Sequence, residues 1–327
     1  MTKSALSFAT PLPQSSRSEV LEWHFPKPCQ YTLIGKSRAA WHTSFVIPQL
    51  NLLLDAGLVV NDLRPKHIVL THTHSDHCLL APAFTKREDP PDIILPAECR
   101  KLFDDYVLAK TLLNRGGTYT GDDAESLGLK VDGQGIDADG RTEGERAFLG
   151  THNTIPVKPG DTLPLRKVKN MTVSVFKCDH NVPSVGYLFS TTNHKLKPEY
   201  TSLPGPEIKK LRQSGVEITA PVTTPVFAFL GDGTATTLAA EPEWLKQEVA
   251  VVITECSFLY DKHDGQAEKT KHTKWKDLEK VVRKWPKTTF ILIHFSMRYS
   301  NKDIVEFFNA LEDPPTNIVV WADGEPE

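Results

Sequence analysis

The chain has few cysteines and no close pair of them. Five are present, Cys29, Cys78, Cys99, Cys178 and Cys256, scattered and without C-x-x-C spacing. They suit a reducing compartment and argue against a disulfide framework or a cysteine-type zinc site. Long hydrophobic runs are missing too. No stretch approaches the roughly 20 apolar residues needed to cross a bilayer, which excludes a transmembrane helix. Nor is there a large charge of one sign. A formal net charge of −3 over 327 residues gives no global basic field for gripping nucleic acid tightly and non-specifically. A nucleic-acid substrate stays open, because bound cations and local basic patches can place positive charge where it is needed. What is present is ordinary for a globular chain: 39% hydrophobic and 24% charged residues, enough for a substantial core.

Residues 1–20 are Ser-rich and interrupted by two prolines. We read them as a flexible leader, with a cleaved transit peptide as the rival, and 21–327 as a single domain. Within it, about 115–150 is an excursion dominated by Gly and Asp (GGTYTGDD, VDGQGIDADG) with few large apolar residues. Compact β-branched and apolar runs predict buried strands at His67–Thr71, Met171–Phe176, Val226–Leu230, Val249–Thr254, Phe290–Ile293 and Ile318–Trp321. Shorter strands are expected at 30–34, 44–47, 50–54 and 93–96, and helices at 97–114 and 275–285. The Pro-, Lys- and Thr-rich stretch Thr191–Val226 reads as an elaborated connection.

Five of these hydrophobic runs end in or near a residue with metal-ligand chemistry: His72, His180, Asp232, Glu255 and His294. That repetition points to one shared edge. The sharpest signal is His72-x-His74-x-Asp76-His77, directly after a strand. Imidazole nitrogens and carboxylate oxygens are normal ligands for zinc and similar ions. On an extended loop His72 and His74 point the same way and can reach one ion, with Asp76 and His77 one turn on for a second.

With this H-x-H-x-D-H loop the chain resembles the metallo-β-lactamase superfamily. Later segments are similar to its ribonuclease Z branch, which cuts the 3′ trailer from precursor tRNA. They are Cys178-Asp179-His180, Phe229-Leu-Gly-Asp232-Gly-Thr234, Thr254-Glu255-Cys-Ser-Phe258, Lys271-His272-Thr273 and Ile293-His294-Phe295-Ser296-x-Arg298-Tyr299. The resemblance implies an α/β fold, an αββα sandwich of two mixed sheets flanked by helices. It implies His72, His74 and His180 on one divalent ion, and Asp76, His77 and His294 on another, with Asp232 bridging. Zinc fits the mixed His and carboxylate ligands best, with manganese or iron as alternatives. Two adjacent cations need a shared anionic ligand, and together they clamp both oxygens of a phosphodiester displacement.

The resemblance further implies Asp76 as the residue that orients the attacking water, and Glu255 with His272 as a proton relay to the leaving oxygen. Lys209, Lys210 and Arg212 lie on a segment that resembles a family loop beside the active site and could hold phosphates, as could Arg298. The basic helix at 274–287 reads as a solvated face. The expected function is therefore cleavage of RNA, precursor tRNA above all, by a cytoplasmic or organellar enzyme, commonly dimeric in that family. A phosphodiesterase for small or cyclic nucleotides is the nearest alternative. A thioesterase, lactonase or lactamase is more distant, and a metal-free nucleic-acid-binding protein is the non-enzymatic one.

Overall fold

The computed structural model describes residues 20–86, 88–114, 131–132, 135–136, 151–166 and 168–323. The expected leader, up to residue 19, lies outside them. So does the Gly/Asp-rich excursion, apart from its short Val131–Asp132 and Gly135–Ile136 ladder.

The apolar runs form two seven-stranded sheets. The first contains β1 (Leu21–His24), β2 (Thr32–Arg38), β3 (His42–Ile47), β4 (Leu52–Leu54), β5 (His67–Val69), β6 (Asp92–Pro96) and β7 (Asn153–Val157). The second contains β8 (Thr162–Pro164), β9 (Met171–Cys178), β10 (Ser184–Leu196), β11 (Thr219–Phe229), β12 (Val251–Glu255), β13 (Thr289–Ile293) and β14 (Ile318–Val320). Both run antiparallel through their first four strands and parallel thereafter. The principal helices are α1 (Ser75–Cys78), α2 (Arg100–Asn114), α3 (Gly205–Gln213), α4 (Trp275–Lys284) and α5 (Asn301–Asn309).

Strand alternation sorts the core into layers. Phe45, Leu52, Leu54, Val69 and Ile94 of the first sheet meet Val173, Tyr187, Phe227, Phe229, Ile253 and Ile291 of the second. The buried Tyr187 hydroxyl donates across this interface to the Leu70 carbonyl at 2.7 Å. On the outer face of the first sheet Phe103, Val107 and Leu108 of α2 cover Ile68 and Ile93. On the outer face of the second, Leu278, Val282, Ile304 and Phe308 of α4 and α5 cover Val252, Phe290 and Leu292. This is the expected αββα sandwich. Among the described residues no helix is long and apolar enough to cross a membrane.

Two differences from the sequence reading have physical causes. The edge strands β1, β7 and β8 carry polar or half-exposed residues and no compact apolar run, so periodicity does not reveal them. The supposed connection Thr191–Val226 is instead the outer half of a long hairpin. β10 and β11 stay paired from Tyr187↔Phe229 to Leu196↔Thr219, with one register shift between Phe189 and Ser190, where Pro225 enters the ladder. A proline that cannot donate is tolerated at such an irregularity. Beyond it the ladder is largely exposed and Thr192 and Thr223 share a hydroxyl hydrogen bond. α3 lies in the connection at its tip.

One glycine fixes the approach of the histidine loop. A Cβ on Gly57 would stand 1.9 Å from the Asp76 carbonyl oxygen. Only a bare α-carbon lets the Ala56–Gly57 backbone lie against α1. There Ala56 N–H donates to His77 O at 2.6 Å and Leu80 N–H to Ala56 O at 2.9 Å.

Candidate metal centre

Strands that run in the same direction deliver their polar ends to one edge of the sandwich. β5 leads into His72 and His74. The chain then enters α1, so Asp76 and His77 sit on a helical turn and not on an extended loop. The turn after β9 carries His180, the turn after β11 carries Asp232, β12 ends in Glu255 and β13 runs directly into His294. His294 has φ +62° and Asp55, just beyond β4, has φ +56°. Both occupy the left-handed region that costs a non-glycine residue energy and is met most often at functional sites.

Four overlapping donor groups result among the described residues; two of them, His180–Asp232–His272 and Glu255–His272–His294, include His272, and the other two hold the expected ligands. His72, His74 and His180 form one, and Asp76, His77, Asp232 and His294 the other; within each, the ligand atoms lie within 4.8 Å of one another. In the first, His74 Nδ1 lies 3.1 Å from His72 Nε2 and 3.3 Å from His180 Nε2. In the second, His77 Nε2 and His294 Nε2 are 3.3 Å apart. Nitrogens ligating one tetrahedral ion at 2.0–2.1 Å are about 3.3 Å apart, so these spacings suit a shared cation. Asp232 Oδ2 faces both clusters, 3.8 Å from His72 Nε2, 3.4 Å from His77 Nε2 and 3.3 Å from His294 Nε2.

The outer nitrogens decide what the inner ones can do. His77 Nδ1–H donates to Asp55 Oδ2 at 2.7 Å. His180 Nδ1–H donates to the Lys271 carbonyl at 3.2 Å. The Thr71 hydroxyl donates to Asp55, so its oxygen accepts from His72 Nδ1–H at 3.1 Å. The Ser257 hydroxyl lies 2.6 Å from Glu255 Oε2 and 3.1 Å from His294 Nδ1. Donating its single proton to the carboxylate, it accepts from the imidazole. Four histidines thus hold their protons outward, which leaves Nε2 lone pairs converging inward. Such a partner on the far nitrogen sets the tautomer of a metal-binding imidazole.

Charge tells the same story. Burial pushes His72, His74 and His180 below the usual imidazole range and favours the neutral, lone-pair-bearing form. The second cluster differs: burial pushes His77 down, but Asp232 and Asp55 prevail and lift it well above the imidazole range. Burial likewise pushes the Asp76 carboxyl up, but the hydrogen bond to His294 and the charges of His77 and His294 prevail and hold it below the carboxylate range. A bound cation would take the place of the inward Nε2 protons. Asp55, Asp76, Asp232 and Glu255 have side chains 0%, 11%, 5% and 2% exposed. Among the described residues no Lys or Arg lies within ion-pair distance of them. Four buried carboxylates balanced only by histidines are costly, and divalent cations held among Asp76, Asp232 and the histidines would offset that charge. The residues fit the metals.

Beside the clusters, His272 Nδ1 lies 3.0 and 3.1 Å from the two Glu255 oxygens. Glu255 also accepts from Gly233 N–H at 2.7 Å and Thr273 N–H at 3.1 Å, so the turn that carries Asp232 also anchors the carboxylate. Burial pushes His272 down, yet the charge and hydrogen bond of Glu255 and the charge of Asp232 prevail and lift it to about 9.

Asp55, Thr71 and Ser257 had no role in the sequence reading. The expected substrate contacts are not gathered at the metal centre. Lys209, Lys210 and Arg212 sit on α3, at the opposite end of the β10–β11 ladder from His180 and Asp232. Arg298 stays on the rim, donating to Ser296 Oγ at 3.0 Å and Gln266 Oε1 at 2.7 Å, with its guanidinium 5.1 Å from the Phe258 ring centre.

Comparison with known proteins agrees. The sequence model of the metallo-beta-lactamase superfamily, which implies divalent metals, matches residues 48–162. The chain is 28% identical over 291 residues to tRNase Z TRZ1 of Arabidopsis thaliana, covering 87% of this chain and 92% of that protein. It is 27% identical over 286 residues to the chloroplastic tRNase Z TRZ2 of the same plant, covering 84% and 70%. The solved structure of human tRNase Z, short form, superposes with a TM-score of 0.47 and 16% identity, covering 80% of this chain and 92% of that one. The histidine loop falls inside the region matched by the superfamily model. By sequence, then, the chain is similar to the metallo-beta-lactamase superfamily over residues 48–162 and to tRNase Z proteins over most of its length.

Proposed function

We propose that this protein is a metal-dependent endoribonuclease of the ribonuclease Z type, with the 3′ end of precursor tRNA as its first candidate substrate. The observation that carries the reading is the Glu255–His272 pair standing against the donor clusters, with His272 Nδ1 3.9 Å from Asp232 Oδ2. His72, His74 and His180 would hold one ion, and Asp76, His77 and His294 the other, with Asp232 shared between them. When bound, the two ions supply Lewis-acid polarisation of the phosphate and a more acidic water. Zinc suits these ligands best.

The chain's own groups do the rest. Asp76 orients the attacking water and takes up its proton. Glu255 keeps Nδ1–H of His272 engaged, so the opposite nitrogen, Nε2, presents a proton to the departing 3′ oxygen. A poor leaving group such as a ribose hydroxyl needs that proton.

The hairpin supports a macromolecular substrate. From Tyr187 to Leu196 the ladder extends roughly 30 Å at about 3.3 Å per residue. It ends near Lys209, Lys210 and Arg212, which are exposed and have no acidic partner among the described residues. The helix at 274–287 differs: Lys274, Lys276, Lys280, Arg283, Lys284 and Lys287 each pair with an acid. About 30 Å is close to one turn of a nucleic-acid duplex, a span no mononucleotide covers. The test is to incubate the zinc-loaded protein with precursor tRNA and, separately, with bis(p-nitrophenyl) phosphate. Trailer release is the expected outcome. Turnover of the small diester alone would favour a small-nucleotide phosphodiesterase, and turnover of neither would end the reading.

A further inference from the structure

We propose that Trp41 is a stacking platform for one nucleobase of the RNA, one or two nucleotides from the cut bond; this rests on the RNA-cleaving reading above. Trp41 is 53% exposed, in the tight β2–β3 turn where Ala40 has φ +58° and Trp41 N–H donates to Arg38 O at 3.1 Å. Two neighbours brace the indole. The Lys36 ammonium lies 4.8 Å from the ring centre, and the His42 ring packs against it at 4.7 Å. Lys36 is itself only 3% exposed, so the open side of the platform is aromatic and not cationic.

The turn is rigidly joined to the metal centre. Ser37 Oγ accepts the backbone N–H of His294 at 3.1 Å and pairs with the Thr43 hydroxyl at 2.9 Å. Ala39 N–H donates to Phe295 O at 3.1 Å. The Arg38 guanidinium donates to the Ser296 and Tyr299 carbonyls. The hairpin therefore grips the segment leaving His294 at four places. Trp41 is two residues from Thr43, roughly 7 Å along the strand from the hydroxyl pair that holds His294. A half-exposed indole, braced by Lys36 and His42 and fixed beside a phosphodiester site, matches what single-stranded nucleic acid needs. Bases stack on aromatic rings without regard to sequence, while cationic groups hold the backbone.

The test compares Trp41→Ala and Trp41→Phe with the wild type in single-turnover cleavage of a precursor RNA. The zinc-loaded full chain is used, and a single abasic nucleotide is walked across the cut site. In the wild type, one abasic position within two nucleotides of the cut should slow cleavage about tenfold or more. Trp41→Ala should slow cleavage of intact RNA by a similar factor and be indifferent to the abasic nucleotide there. Trp41→Phe should retain most of the rate and the sensitivity. If Trp41→Ala cleaves intact RNA at the wild-type rate, or is slowed by every abasic substitution as the wild type is, the platform does not exist. A wild type that cuts no RNA overturns the parent function and this inference together. A wild type that cuts RNA but has no sensitive position overturns this inference alone.

Discussion

Asp55 Oδ2 accepts the His77 Nδ1–H at 2.7 Å, while Oδ1 of the same carboxylate accepts the Thr71 N–H at 2.8 Å. One wholly buried side chain thus orients His77 of one donor cluster and, through the Thr71 hydroxyl, His72 of the other. Partners of this kind are commonly worth 10- to 100-fold in metal affinity. Asp55→Asn keeps the shape but removes the charge, and its amide can donate toward Nδ1 and move the imidazole proton to Nε2. Metal affinity should fall about 10- to 100-fold by competition with a chelator. Unchanged affinity would show that Asp55 only braces the loop.

Four buried carboxylates with no Lys or Arg beside them among the described residues make the cations part of the fold's stability. A cation that binds the folded chain and not the unfolded one stabilises it in proportion to the logarithm of its saturation. Stripping the metals should therefore lower the melting temperature, and restoring zinc should return it. Asp232→Ala should leave fewer than one ion per chain by elemental analysis and abolish turnover, since Oδ2 faces both clusters. A variant with two ions would remove Asp232 from the bridging position.

Most of this centre was legible because its residues end hydrophobic runs. His72, His180, Asp232, Glu255 and His294 each follow a segment whose apolar pattern marks a strand, and strands that run in the same direction bring their ends to one edge. Ser257 and Thr71 were not legible, because an isolated hydroxyl carries no periodicity. Their roles depend on protons passed between residues up to 37 positions apart, as with Ser257 and His294. The hairpin was missed for a different reason. Its outer half buries little, so Thr191–Leu196 and Thr219–Thr224 offer no hydrophobic signal, only a threonine-rich composition that also suits a loop. The residues of α3 were recognised as basic, but only strand pairing could show that they sit far from the histidines.

His272 acts on the leaving group, so its importance should depend on that group. His272→Ala should slow RNA cleavage about 10²- to 10⁴-fold, with zinc content unchanged. Hydrolysis of bis(p-nitrophenyl) phosphate should suffer much less, because nitrophenolate departs without a proton. The pH dependence follows from the raised imidazole. The acid form persists below about 9 and is lost as the pH rises through that value, giving RNA cleavage an alkaline limb. Bound cations would move that limb to lower pH by favouring the neutral ring. His272→Ala should lack the limb. Equal slowing of both substrates would indicate a ligand or structural role.

The cations of α3 should act on grip and not on chemistry. Each lysine or arginine on a phosphate releases counterions, and removing one lowers the salt dependence of binding by about one unit of slope. Replacing Lys209, Lys210 and Arg212 together with glutamine should raise KM for precursor RNA about tenfold or more near physiological salt. It should also flatten the plot of log KM against log salt by about two to three units of slope. The rate at saturating RNA should change little, because the ladder keeps α3 at the far end from His180 and Asp232. A fall in kcat with KM unchanged would place these side chains at the reacting phosphate. An unaltered salt slope would mean that the RNA is held elsewhere.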